Sequence, residues 1–212
     1  SRLRREDKIG VREALRIGRE VALGLAAAHQ RGLLHRDIKP DNIWLQKDGG
    51  HVKIVDFGLV RSIEEPSSLT HTGTILGTPQ YMAPEQACGE HVDERCDLFS
   101  LGSVLYQLLT GQGAFTGNNL VATLVAVSNA KVAPPHEVNP EVPREVSDLV
   151  MKLLEKDPQS RHQTAAEVAE VIRRIEQDLE HSHQFPASDR KVLAQRGRRR
   201  ARRRWWIGLE AM

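Results

Sequence analysis

Between Arg95 and Thr110 the sequence reads RCDLFSLGSVLYQLLT, apolar on nearly every side of a helix. A helix with no polar face must be surrounded, so this segment predicts a buried central helix, closed by Gly111. A chain of 212 residues with 40% hydrophobic content supports one good core around it rather than two. The segment VREALRIGREVALGLAAAHQR, residues 11 to 31, sets Val11, Leu15, Val21, Ala22, Leu25, Ala26 and His29 on one broad helical face. Arg12, Arg16, Arg19 and Glu20 fall elsewhere on that helix, and Gly32 ends it. Further helices are expected near 118–130, 144–155 and 164–180, the last opened by a capping box of Thr164 and Glu167. Pro134, Pro135, Pro140 and Pro143 make a rigid connection between the first two of these. The short apolar runs NIWL and HVKIV, joined by QKDGG, predict a β-hairpin. Residues 61 to 80 read as a long loop, of the kind that is functional or disordered. The fold class is therefore mainly α with a small β-hairpin.

Charge divides the chain. Residues 1 to 189 carry 21 Lys and Arg against 27 Asp and Glu, whereas residues 190 to 212 carry nine against one. Two regions with different jobs follow: a body to about residue 180, and a basic tail from 181 to 212. Cys88 and Cys96 lack any zinc-type spacing and read as ordinary thiols in a reducing compartment. The opening SRLRREDKIG has no apolar run of a signal peptide and reads like the middle of a longer protein.

The chemistry concentrates in LLHRDIKPDNIWL and in VDFG after the hairpin. Folding the hairpin back brings Asn42 and Asp56 to the same end of the sheet, an oxygen-rich corner suited to Mg²⁺. Lys39 adds a positive point charge there, and Asp37 a carboxylate able to accept a hydroxyl proton. Together these groups suit phosphoryl transfer.

His-Arg-Asp-x-Lys-x-x-Asn, then DFG, then APE at Ala83–Glu85 and DLFSLG at Asp97–Gly102, resemble the protein kinase family in order and spacing. The resemblance implies the C-terminal lobe of that α+β fold, over residues 1 to about 180. It implies Asp37 as catalytic base, Lys39 on the γ-phosphate of ATP, and Asn42 and Asp56 as Mg²⁺ ligands. Structural roles fall to His35 and Phe57 as packed elements, to Glu85 paired with Arg161, and to Asp97 holding the catalytic-loop backbone. His162 stands where the family usually has proline.

Lys39 and GTPQYMAPE resemble serine/threonine kinases, with Thr78 bonding Asp37 and Lys39 to shape the acceptor pocket. Arg36 beside the base implies regulation by loop phosphorylation. Thr70 and Thr72 resemble the autophosphorylated pair of bacterial receptor-like kinases; the alternative is that they only form the loop. Arg36 and Arg61 would hold the phosphate. In that group the tail, with Trp205 and Trp206 after its arginines, reads as a juxtamembrane stretch at the cytoplasmic side of the inner membrane. A disordered arm and a nucleic-acid patch are its rivals, the latter the weakest.

No Gly-rich phosphate loop and no VAIK-type lysine precede the catalytic loop, so the N-terminal lobe is expected to be absent and the chain inactive by itself. A face that met that lobe should then be apolar and exposed, including Leu45 and Phe57. The function expected is a serine/threonine protein kinase acting on protein substrates with ATP and Mg²⁺. The alternative is a non-catalytic, pseudokinase-like interaction module.

Overall fold

The computed structural model describes residues 9–46, 50–56, 61–62 and 78–184. Among them are seven helices and two small antiparallel sheets. The expected central helix is α3, Arg95–Thr110, with the bounds read from its pattern. Thirteen of its sixteen residues are buried, and Gly111 closes it in the left-handed conformation at φ 75°. Its N–H returns to the Gln107 carbonyl at 2.8 Å.

Two glycines let helices approach α3 closely. A Cβ at Gly18 would meet Leu105 Cδ2 at 2.8 Å, and one at Gly102 would meet Leu153 Cβ at 2.7 Å. The first contact seats α1, Val11–His29, on one side of α3, and the second seats α6, Arg144–Leu153, on another. On α1 the predicted Leu15, Val21, Ala22 and Leu25 are buried, while Val11, Ala26 and His29 are half-buried. Ala14, Ile17, Gly18 and Ala28 are buried as well. The buried stripe is wider than predicted because α1 packs on the hairpin as well as on α3.

That hairpin pairs β2, Ile43–Leu45, with β3, Val52–Ile54, in the register Ile43↔Ile54, Trp44↔Lys53, Leu45↔Val52. A second pair was not foreseen. β1, Leu33–Leu34, joins β4, Arg61–Ser62, inside the segment read as loop. Two residues are too few to show alternation.

Beyond the hairpin lie α2, Pro84–Cys88, α4, Leu120–Asn129, and α5, Pro135–Val138, a single turn within the proline-rich connection. The last helix, α7, is Ala165–Gln184. The capping box before it forms in modified shape. Thr164 Oγ1 accepts from Glu167 N at 3.1 Å, but Glu167 reaches back to Gln163 N at 2.9 Å. Its other oxygen meets His162 Nδ1 at 2.9 Å, so His162 extends the cap.

Leu45, expected on an open apolar face, is half-buried; its neighbour Trp44 is the exposed residue, at 60%. Strand alternation explains the swap, since Ile43 and Leu45 face inward together. Cys88 and Cys96 are free thiols, one exposed and one buried. Phe57, Thr70, Thr72 and the tail beyond residue 184 lie outside the described residues. Among those described, no helix is long and apolar enough to cross a membrane.

Candidate active site

The site begins where β1 ends. His35 and Arg36 follow it into a loop, and Pro40 starts a single 3-10 turn over Pro40–Asn42 that leads straight into β2. Proline suits that first position because its missing N–H has no partner to lose there. The turn folds Asn42 back onto Asp37. Asn42 Nδ2 donates to the Asp37 carbonyl at 2.8 Å and to Asp37 Oδ2 at 3.2 Å. Lys39 Nζ meets the same Oδ2 at 2.6 Å. The two donors both engage Oδ2, and among the described residues no bond is made to Asp37 Oδ1. That oxygen is an acceptor still available to a third group.

Asn42 is also tied to the hairpin's far strand, its carbonyl accepting from Val55 N at 2.9 Å. Asp56 follows immediately, so the hairpin brings Asn42 and Asp56 to one end of the sheet as its pairing demands. With Nδ2 committed to Asp37, the Asn42 amide has its oxygen left as an acceptor. The donor set beside Asp37 is then one amide oxygen and one carboxylate. Among the described residues no group of three or more His, Cys, Asp and Glu could hold a metal by itself. Such a pair fits a hard cation that keeps water or phosphate oxygens as its other ligands, as Mg²⁺ does, and does not fit zinc.

Two backbone positions are held in an unusual conformation. Arg36 has φ 64° and Asp56 has φ 63°, both in the left-handed region. A non-glycine residue there costs of order 1–3 kcal/mol and persists only where its surroundings enforce it. For Arg36 the enforcement is visible. The fully buried Asp97 of α3 accepts from Arg36 N through Oδ1 at 2.7 Å and from His35 N through Oδ2 at 2.9 Å. Gln86 Nε2 holds the Arg36 carbonyl from the other side at 3.0 Å.

His35 is fully buried. Its Nδ1 accepts from Asp37 N at 3.3 Å, which leaves Nε2 to donate to the Val55 carbonyl at 3.2 Å. The ring therefore joins the loop carrying Asp37 to the strand end carrying Asp56 by hydrogen bonds. Glu85 and Arg161, 76 residues apart, meet as a buried bidentate pair at 2.7 and 2.8 Å.

Thr78 precedes the 3-10 turn Pro79–Tyr81, and among the described residues no hydrogen bond joins it to Asp37 or Lys39. Arg61 lies in β4. Arg36 Nε is buried with no hydrogen-bond partner among the described residues. Sequence reasoning missed one member of this network. His29, at the end of α1, places Nε2 2.9 Å from Asp97 Oδ2. The helical pattern sets it on the apolar face, and only its spacing from His35 across the Gly32 turn sets it apart.

The protein kinase domain family model matches residues 1–172. A probable serine/threonine-protein kinase of Clostridium perfringens is 42% identical over 165 residues, 78% of this chain and 24% of that protein. The serine/threonine-protein kinase PknB of Mycolicibacterium smegmatis is 42% identical over 167 residues, 78% of this chain and 27% of that one. A serine/threonine-protein kinase of Myxococcus xanthus is 43% identical over 150 residues, covering 69% and 22%. The chain spans about a quarter of the length of these curated relatives. With the match extending over most of its length, the chain belongs to the protein kinase domain family and is similar to bacterial serine/threonine kinases.

Proposed function

We propose that this chain is the C-terminal lobe of a serine/threonine protein kinase, which transfers the γ-phosphate of ATP to serine or threonine hydroxyls of proteins. The observation that carries the reading is Asp37 with Oδ1 uncommitted, steadied by Lys39 and Asn42 at Oδ2. In this reading Asp37 takes the proton of the acceptor hydroxyl as the hydroxyl attacks phosphorus. Lys39, with one of its three N–H groups on Asp37, has the others for the γ-phosphate. Asn42 and Asp56 hold Mg²⁺, which when bound neutralises phosphate charge. The buried Arg36 Nε, without a hydrogen-bond partner among the described residues, supports a phosphate pocket, with Arg61, for phosphorylated Thr70 or Thr72.

The basic run before Trp205 and Trp206 supports contact with an anionic membrane surface at the cytoplasmic face. A second reading, a non-catalytic module that docks partners, has an exposed ridge of Leu120, Val121 and Val125 on α4 in its favour.

The deciding experiment fuses the chain behind the segment that precedes the matching region in its Mycolicibacterium relative. Phosphate transfer to a serine/threonine substrate is then measured with ATP and Mg²⁺, beside the 212-residue chain alone. The kinase reading expects turnover from the fusion, a loss of ~10²–10⁴-fold in Asp37→Asn, and negligible turnover from the chain alone. A fusion that binds ATP yet transfers no phosphate leaves the docking module standing.

A further inference from the structure

The polar side of α1 does not simply face water. Arg16 is gripped on both sides along its own helix. Its Nε and Nη2 donate to the two Glu13 oxygens at 2.9 and 2.8 Å, and Nη1 donates to Glu20 Oε1 at 2.8 Å. So fixed, Nη1 also donates across to the Gly50 carbonyl, 34 residues away. Glu20 divides its carboxylate in the same manner: Oε1 takes Arg16 and Oε2 takes Val52 N at 2.8 Å. One turn further, α1 has Gly24, where a Cβ would stand 3.0 Å from Ile54 Cδ1.

These three contacts form a register. On the helix they fall at 16, 20 and 24; on the other side they fall at Gly50, just before β3, and at Val52 and Ile54 within it. Four helical residues rise about 6.0 Å and two strand residues about 6.6 Å, so from Glu20 to Gly24 and from Val52 to Ile54 the two repeats stay in step. Asp56 stands two residues beyond Ile54, just past the end of β3. Alone, a hairpin of three-residue strands is marginal and weakly fixed in register. Two of the three contacts here are polar and directional, and charged groups make both, which strengthens them.

We propose that Arg16 and Glu20 are positioning residues for the cation corner: they fix the register of β3 along α1, and so the point at which Asp56 leaves the strand. This rests on the reading of Asn42 and Asp56 as cation ligands. Neither side chain touches the site; both act through Gly50 and Val52.

The test uses the 212-residue chain, ¹⁵N-labelled, with amide exchange and Mn²⁺ broadening read on the same samples. Arg16→Met keeps the aliphatic stem and removes the donors. We expect it to speed exchange at Val52 and Val55 tenfold or more and to weaken Mn²⁺ broadening at Asn42 and Asp56 at least fivefold, with exchange in α3 unchanged. Glu20→Gln should do the same to a smaller extent, and it serves if Arg16→Met fails to fold. Arg16→Lys, still able to donate to Gly50, should recover part of both effects. Unchanged exchange at Val55 in both Arg16→Met and Glu20→Gln overturns the proposal. Mn²⁺ that fails to localise at Asp56 in the parent chain, or is indifferent to Asp56→Asn, overturns the cation reading instead. The exchange arm then still decides whether the register depends on the clasp.

Discussion

Two carboxylate–cation pairs stand in this chain in opposite states of completion. Arg161 has five N–H groups and all five are engaged. Nη1 and Nη2 hold Glu85, and the Arg95, Glu155 and Lys156 carbonyls take the rest. The guanidinium lies over the Phe99 ring, 4.9 Å from its centroid, and the side chain is fully buried. Lys39 and Asp37 are closer, at 2.6 Å, yet both are partly exposed. Lys39 makes that single bond among the described residues, and Asp37 keeps an oxygen in reserve. A charge whose partners are complete can only hold structure. A charge with capacity left over can still receive a ligand, and the difference between the pairs is the difference between framework and site.

The largest effect should fall on the completed pair. Arg161→Met strands Glu85 in the interior and is expected to cost about 3–5 kcal/mol in urea unfolding, as broken buried pairs do. A loss below about 1 kcal/mol would mean that water replaces the guanidinium there. His29→Ala comes next. Asp97 is fully buried and holds both His35 N and Arg36 N, so removing its third donor should cost about 1–3 kcal/mol. Amide exchange at His35 and Arg36 should rise with it, and His29→Gln should restore part of the protection. Exchange confined to α1 would show that Asp97 does not need His29.

The uncompleted pair should be nearly silent in stability. Lys39→Met and Asp37→Asn are expected to shift unfolding by about 1 kcal/mol or less, while Asp37→Asn cuts transfer in the fused enzyme ~10²–10⁴-fold. A shift as large as that of Arg161→Met would remove the distinction between the pairs.

Lys156 lies between the two cases, and its effect should be the smallest. Its ammonium is 3.8 Å from the Phe115 ring centroid and donates to the Val127 carbonyl of α4. Burial, with Arg161 repulsion added, lowers it from 10.5 to about 8. The unfolded chain therefore holds this proton more tightly than the folded one between pH 8 and 10.5. The cost of burying this ammonium is full below pH 8 and is relieved as pH rises through that window. Thermal unfolding of Lys156→Met should lack this rise, so the variant gains on the parent as pH falls from 10 to 7.5. Parallel curves would show that the rings and the carbonyl offset the burial.

How much was legible follows from how local each feature is. The bounds of α3 came directly from its pattern, because a helix apolar all round has one solution. The hairpin, with Asn42 and Asp56 at one end of it, was readable because a short turn fixes antiparallel register. Glu85 with Arg161, and Asp97 with the loop, were foreseen only through resemblance, since no local pattern links residues about 60 to 76 positions apart. The pairing of β1 with β4 was lost for want of length. Arg16 and Glu20 read in the pattern as the polar side of an amphipathic helix, because their partners Gly50 and Val52 lie 34 and 32 residues away.

The sequence by itself determined which side chains the chain offers for phosphoryl chemistry and which segments must be helical or buried, because residue type and short-range periodicity act within a few residues. Only the tertiary structure decided which charges are used up. The capacity of Asp37, the completeness of Arg161, the engagement of His29 and the clasp of Arg16 all depend on hydrogen bonds between segments far apart in the chain, and directional bonds exist only once both partners have been placed.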